Sequence, residues 1–182
     1  MRKVDFIHKL AELDRKGIYV LAKRDIERLF PNEDAKALEK SLQRLVADRL
    51  LLRVAKGIYL NPYASSRNSW AIEEIAKALR PDSFSYVSLE SILSEYGVIS
   101  QIPISRITIM TTGAKGVFET PFGTIEFTHT KRSPEKLISR TIHDKRRPLR
   151  IASKKAAVQD LYRVGRNTNM IDEEELEEEF EP

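Results

Sequence analysis

The sequence contains no cysteine, which removes disulfides, thiolate zinc sites and cysteine nucleophiles together. Histidine is nearly as scarce: His8, His129 and His143 stand far apart, so no histidine-rich metal centre is expected. Neither a glycine-rich phosphate loop nor an HExxH or GxSxG signature occurs. Ser133-Pro134-Glu135-Lys136 spells the S-x-x-K of penicillin-binding enzymes, but the companion S-D-N and K-T-G are missing and the match is rejected. No apolar run approaches the roughly 20 residues that span a bilayer, and Met1-Arg2-Lys3-Val4-Asp5 returns to charge too soon for a signal peptide. The expectation is a cytoplasmic chain that is no enzyme, with no catalytic residue, no metal, no cofactor and no membrane partner.

What the sequence has in quantity is charge. Charged residues make up 32% and hydrophobic residues 41% of 182 residues, enough for one substantial domain or two small ones. The net charge of +4 conceals a strong segregation. Residues 1–62 hold 14 Lys+Arg against 9 Asp+Glu, residues 63–130 hold 5 against 7, and residues 131–170 hold 12 against 3. The last stretch, 171–182, holds 8 acidic residues and no basic one. Two basic segments around a near-neutral middle point to a polyanionic partner, of which nucleic acid is the commonest, although such surfaces also serve solubility alone.

Val4, Phe6, Ile7, Leu10, Ala11 and Leu13 recur at helical spacing and predict a helix over about 3–15, closed by Lys16-Gly17. Ile18 to Leu21 is β-prone, residues 22–30 read as a second helix, and Pro31-Asn32 breaks it. Asn32 or Asp34 can cap a third helix over about 34–49 with Leu38, Leu42, Leu45 and Val46 on one stripe. Leu50 to Val54 and Gly57 to Leu60 are β-like runs joined by Ala55-Lys56. This order is that of a winged helix-turn-helix over residues 1–62. The third helix turns Lys36, Glu39, Lys40, Gln43 and Arg44 outward, and long donors suit phosphates and purine edges in a major groove. Lys36, Lys40, Gln43, Arg44 and, at the hairpin end, Arg53 and Lys56 are therefore the candidate DNA-binding residues. The same face is also what any solvated helix would carry.

Residues 63–69, Tyr-Ala-Ser-Ser-Arg-Asn-Ser, read as a linker. A second domain, α+β, is expected over 70–168, with Trp70 in its core and helices near 70–79 and 88–93. Ile107 to Thr112, Gly116 to Thr120 and Thr124 to His129 are strand-like, the last two around a Pro121-Phe122-Gly123 turn. His129 falls in the apolar register of its strand, where a packed or edge role outweighs a functional one. Ser133-Pro134-Glu135 starts a helix, 143–150 reads as a basic loop, and Ala152 to Val164 as a final helix. Lys131, Arg132, Lys145, Arg146, Arg147, Arg150, Lys154 and Lys155 make a second basic patch. Residues 169–182 form an acidic tail, expected to be solvated.

Several of these segments resemble a known family. Arg53 to Tyr59 (R-V-x-x-G-I-Y) ending a winged helix, Tyr86 to Ser91 followed by Tyr96-Gly97-Val98-Ile99, Phe122 to His129, and the helix ending Asp160-Leu161-Tyr162 are similar to AbiEi-type antitoxins of bacterial type IV toxin–antitoxin systems. Lys154 and Lys155 stand where that family has proline and glutamate. The resemblance reaches to about residue 165, where longer members continue into further helices. It implies a winged-helix autorepressor of its own operon, binding double-stranded DNA at inverted repeats. It also implies an antitoxin that counters a nucleotidyltransferase-like toxin, functionally or by direct contact. On the residues alone a second class stays open: a non-catalytic protein- or RNA-interaction module on a winged-helix scaffold.

Overall fold

The computed structural model describes residues 1–100 and 105–172. It is a mixed α+β chain that divides into two compact units, Met1–Leu79 and from Arg80 onward, each with its own sheet. Among the described residues there are seven α-helices, and none is long and apolar enough to cross a membrane.

The first unit runs α1 (Lys3–Asp14), β1 (Val20–Ala22), α2 (Lys23–Leu29), α3 (Ala35–Ala47), β2 (Leu52–Ala55), β3 (Ile58–Leu60) and α4 (Ala71–Leu79). Its core joins Phe6 and Leu10 of α1, Ile26 of α2, Leu38, Leu42 and Leu45 of α3, and Leu21, Leu51 and Tyr59 around the sheet. Phe6 stacks on Phe30 with ring centroids 5.9 Å apart. The start of α3 is fixed locally: the Asp34 carboxylate accepts from the backbone N–H of Lys36 (2.9 Å) and Ala37 (3.0 Å), satisfying donors that the first helical turn leaves orphaned. The small sheet has order β1-β3-β2, antiparallel throughout, with a register shift between Arg53 and Ala55. Gly57 takes φ +73 in the β2–β3 turn, a conformation open to glycine at little cost.

The expected linker at 63–69 is part of this unit. Asp14 accepts from Ser65 N, Ser65 Oγ and Ser66 N, all at 2.9 Å, which holds its carboxyl below the usual carboxylate range. Asn68 accepts from the Tyr19 hydroxyl (3.2 Å) and from Trp70 N (2.9 Å). The helix that follows, α4, packs on β1 and β3, and Trp70 is half-buried. The boundary therefore falls after Leu79 and not at 63–69, because hydrogen bonds to a residue 51 positions away hold a segment whose composition reads as a loop.

The second unit runs β4 (Ser85–Val87), α5 (Leu89–Glu95), β5 (Arg106–Thr111), β6 (Gly116–Thr120), β7 (Gly123–His129), α6 (Pro134–Ile138), β8 (Thr141–Ile142), β9 (Arg150–Ala152), α7 (Lys154–Val164) and a short 3-10 turn, Thr168–Met170. Its six strands lie in the order β6-β7-β5-β4-β9-β8. The pairs β5–β7 and β4–β9 are parallel and the others antiparallel. α5 packs against α7 and β5. The expected basic loop at 143–150 ends in a strand, since Arg150 and Ile151 pair with Tyr86 and Val87. The chain past α7 also stays on this unit: Ile99 bridges to Ile171, and Asp172 N donates to Val98 O at 2.9 Å. The start of the expected tail, 169–172, is thus folded, and 173–182 lies outside the described residues.

Candidate nucleic-acid interface

The buried stripe of α3 (Leu38, Ser41, Leu42, Leu45) commits its opposite side to solvent. At 3.6 residues per turn, Lys36, Lys40 and Gln43 line up on that side, and all three are exposed. Arg44 is exposed on one flank, its guanidinium bent along its own helix, with Nη2 3.4 Å from Ser41 Oγ and Nε 3.4 Å from Lys40 O. Glu39 occupies the other flank, where its carboxylate accepts from Lys23 Nζ of α2 at 2.6 Å. That hydrogen bond first, and the attraction of Lys23 and Arg53 after it, lower the carboxyl below its ordinary range.

Lys56 is exposed in the β2–β3 turn. Arg53 corrects the expectation of a residue at the hairpin end: it lies inside β2 opposite Tyr59, exposed, and close enough to influence Glu39. The β2–β3 connection is one residue later than the sequence indicates, because Ala55 still pairs with Ile58. The fold thus groups Lys36, Lys40, Gln43 and Arg44 on one helix, with Lys23 and Arg53 gathered around Glu39 at its edge. Lys23 escaped sequence reading, since nothing local marks the first residue of a short helix as a partner of a residue 16 positions on.

Four of the eight residues of the second basic patch are engaged within their own unit. Arg132 Nη1 donates to Asp160 at 2.6 Å, and Arg140 Nη2 reaches the same oxygen at 3.4 Å. Asp160 is fully buried and also accepts from Tyr86 Oη (2.9 Å) and Ser88 Oγ (3.0 Å). Burial foremost, then Asp160, pushes the Tyr86 hydroxyl well above its usual range. Arg147 is buried and donates to Glu95 at 2.6 Å. Arg150 donates to Thr141 Oγ1 (2.7 Å), Thr141 O (2.8 Å) and Ile138 O (3.3 Å). Arg146 is exposed but forks onto Asp144 at 3.0 and 2.7 Å, which with the Arg146 N–H lowers that carboxyl to about 2.

Of the eight, Lys131, Lys145 and Lys155 are exposed like Arg146, and Lys154 is half-buried at the first position of α7. The expectation of one contiguous basic surface is corrected on this point: Arg132, Arg147 and Arg150 hold the unit together from within. A second network completes the pattern, with Arg166 bridging Glu90 (2.9 Å) and Glu126, and Arg106 reaching Glu126 at 2.7 Å. His129 is exposed, its Nδ1 2.8 Å from Gly113 O.

Residues 7–176 match DUF6088, described as a family of unknown function. The chain belongs to that family. The match spans both units, so the α3 face and the arginine–carboxylate networks both lie within the family's extent. No curated protein matches the sequence. Among solved structures, the chain is similar to the RV2827C protein from Mycobacterium tuberculosis at 16% identity and a TM-score of 0.44. That similarity covers 68% of this chain and 44% of the other, so the chain spans less than half of that protein's length.

Proposed function

We propose that the first unit of this family member is a winged helix-turn-helix that binds double-stranded DNA, with α3 in the major groove and the β2–β3 hairpin as the wing. The observation that carries the reading is the α3 stripe. Lys36, Lys40 and Gln43 are exposed in line, with Arg44 beside them, on a helix whose other side is fixed in the core. Long donors on a rigid helix can meet base edges and phosphates together. Lys56 in the turn reaches the adjacent backbone.

The resemblance to AbiEi-type antitoxins extends the proposal to biology. The chain acts as an autorepressor at inverted repeats beside its own gene, and as the antitoxin to a nucleotidyltransferase-like toxin. The DNA half is tested by titrating the full chain against the duplex upstream of its gene across a salt series. A reader contacting several phosphates loses affinity linearly in log salt, by roughly 0.9 log units per contact for each tenfold rise in salt. A flat response, or no binding at low salt, rejects it. The antitoxin half is tested by co-expression with the adjacent gene, where unrelieved growth arrest rejects it.

A further inference from the structure

On a helix facing a polyanion, a carboxylate is out of place. Glu39 is the only acidic residue of α3, and it stands on the half-buried flank beside Lys36, Lys40 and Gln43. Its side chain is 41% exposed and that of its partner Lys23 is 35% exposed. An ion pair so open to water contributes little to stability, and beside phosphates a negative charge opposes binding. Neither folding nor general DNA affinity therefore accounts for a glutamate here.

Geometry supplies the other role. Lys23 Nζ engages Oε2 at 2.6 Å, leaving Oε1 without a partner among the described residues. The side chain is tethered from one side and open on the other, an acceptor at the edge of the face offered to the groove. A carboxylate only accepts hydrogen bonds. In the major groove cytosine shows a donor alone, its N4 amine, whereas adenine sets the N7 acceptor beside its N6 amine, and guanine and thymine show acceptors. The paired guanine presents O6 and N7, for which the ammonium groups of Lys36 and Lys40 are matched in chemistry.

We propose that Glu39 determines specificity, its Oε1 accepting a hydrogen bond from the N4 amine of a cytosine in the DNA site while Lys23 positions it from behind. The inference rests on the DNA-binding reading of α3. It adds a base to it: the recognised sequence contains an obligatory C·G pair opposite Glu39, and other pairs there are rejected because their acceptors meet a carboxylate.

The test selects a randomised double-stranded DNA pool against the full chain, then measures binding of the selected duplex and its single-pair variants to wild type, Glu39→Ala, Glu39→Gln and Lys23→Met. Wild type should discriminate at one C·G pair by roughly ten- to a hundredfold. Glu39→Ala should lose that discrimination at that pair alone and bind the substituted duplexes more tightly. Glu39→Gln should move the preference towards adenine, whose N6 and N7 suit an amide. Lys23→Met, which frees the carboxylate, should weaken the cytosine preference without abolishing it, at lower overall affinity. If Lys23→Met and Glu39→Ala lose discrimination alike, Glu39 acts only through the ion pair and the proposal falls. Unchanged discrimination in Glu39→Ala also overturns it, with DNA binding left standing. If no duplex is selected and none binds at low salt, the DNA-binding reading itself fails.

Discussion

Arg44 on α3 and Arg147 in the second unit are both arginines in basic stretches, yet they are used in opposite ways. Arg44 keeps its guanidinium at the surface, with only 3.4 Å contacts to its own helix. Arg147 is buried against Glu95 at 2.6 Å. The difference generalises across the two units. Residues 131–170 carry the denser excess, 12 Lys+Arg against 3 Asp+Glu, but Glu90, Glu95 and Glu126 from the preceding stretch reach in to neutralise it. The α3 face carries fewer cations but leaves a larger share of them exposed. Charge counted along a chain is not charge offered to a partner; the sheet order decides which acids arrive.

The strongest way to break that contrast is to remove Asp160. Its carboxylate gathers Arg132, Arg140, Tyr86 and Ser88. Asp160→Ala leaves the Arg132 guanidinium and the Tyr86 and Ser88 hydroxyls without their carboxylate acceptor, while Arg140 keeps Gln159 and Ala156 O, and should destabilise the second unit by about 3–5 kcal/mol. Urea unfolding of the full chain measures this. A variant as stable as wild type would mean that these cations are not structural and that the basic patch is free after all.

The same contrast explains what was legible in the sequence. Most of the first unit follows from local signals: the 3.6-residue stripe of Leu38, Leu42 and Leu45, the Asp34 cap, and the glycine in the β2–β3 turn. The outward face of α3 follows from those same signals, so its lysines, Gln43 and Arg44 could be found. Arg132, Arg147 and Arg150 could not be placed, because their partners are set by the pairing of short strands far apart in sequence, such as β4 with β9. The segment 63–69 misled for a related reason: Ser65 and Ser66 are tied to Asp14, and no periodicity records a single distant carboxylate.

Arg44 and Arg147 sharpen the comparison directly. Arg44→Ala should cost about 1–3 kcal/mol in binding a selected duplex if the side chain reads a guanine, with stability unchanged. Arg147→Ala should do the reverse, costing about 1–3 kcal/mol of stability through the lost buried partner and leaving DNA affinity as it was. Fluorescence anisotropy and urea unfolding on both variants give the four numbers. Equal losses of DNA affinity would erase the distinction between the units.

Lys56 tests a smaller effect on the exposed side. If the proposed wing touches backbone and not bases, Lys56→Ala weakens specific and random duplexes alike and lowers the salt slope by about one unit. A loss confined to the selected duplex would give the hairpin a sequence-reading role instead.

The smallest effect concerns how steeply the second unit loses stability in acid. Burial alone would raise the Glu126 carboxyl, but the hydrogen bonds and charges of Arg166 and Arg106 outweigh it and leave the group below its ordinary range. An unfolded glutamate titrates near 4.3, roughly, so in that region the unfolded chain binds more protons than the native one and stability rises with pH. The contribution of Glu126 is therefore complete above the unfolded value and lost as pH falls through the lower, folded one. Glu126→Gln removes the titration while keeping the side chain's size. It should reduce stability at neutral pH and flatten the decline of the second unit below about pH 4.5, read by urea midpoints at stepped pH. A decline as steep in Glu126→Gln as in wild type would assign the acid sensitivity elsewhere. Asp14, lowered by the Ser66 and Ser65 donors, belongs to the first unit, so its acid response is unchanged in Glu126→Gln.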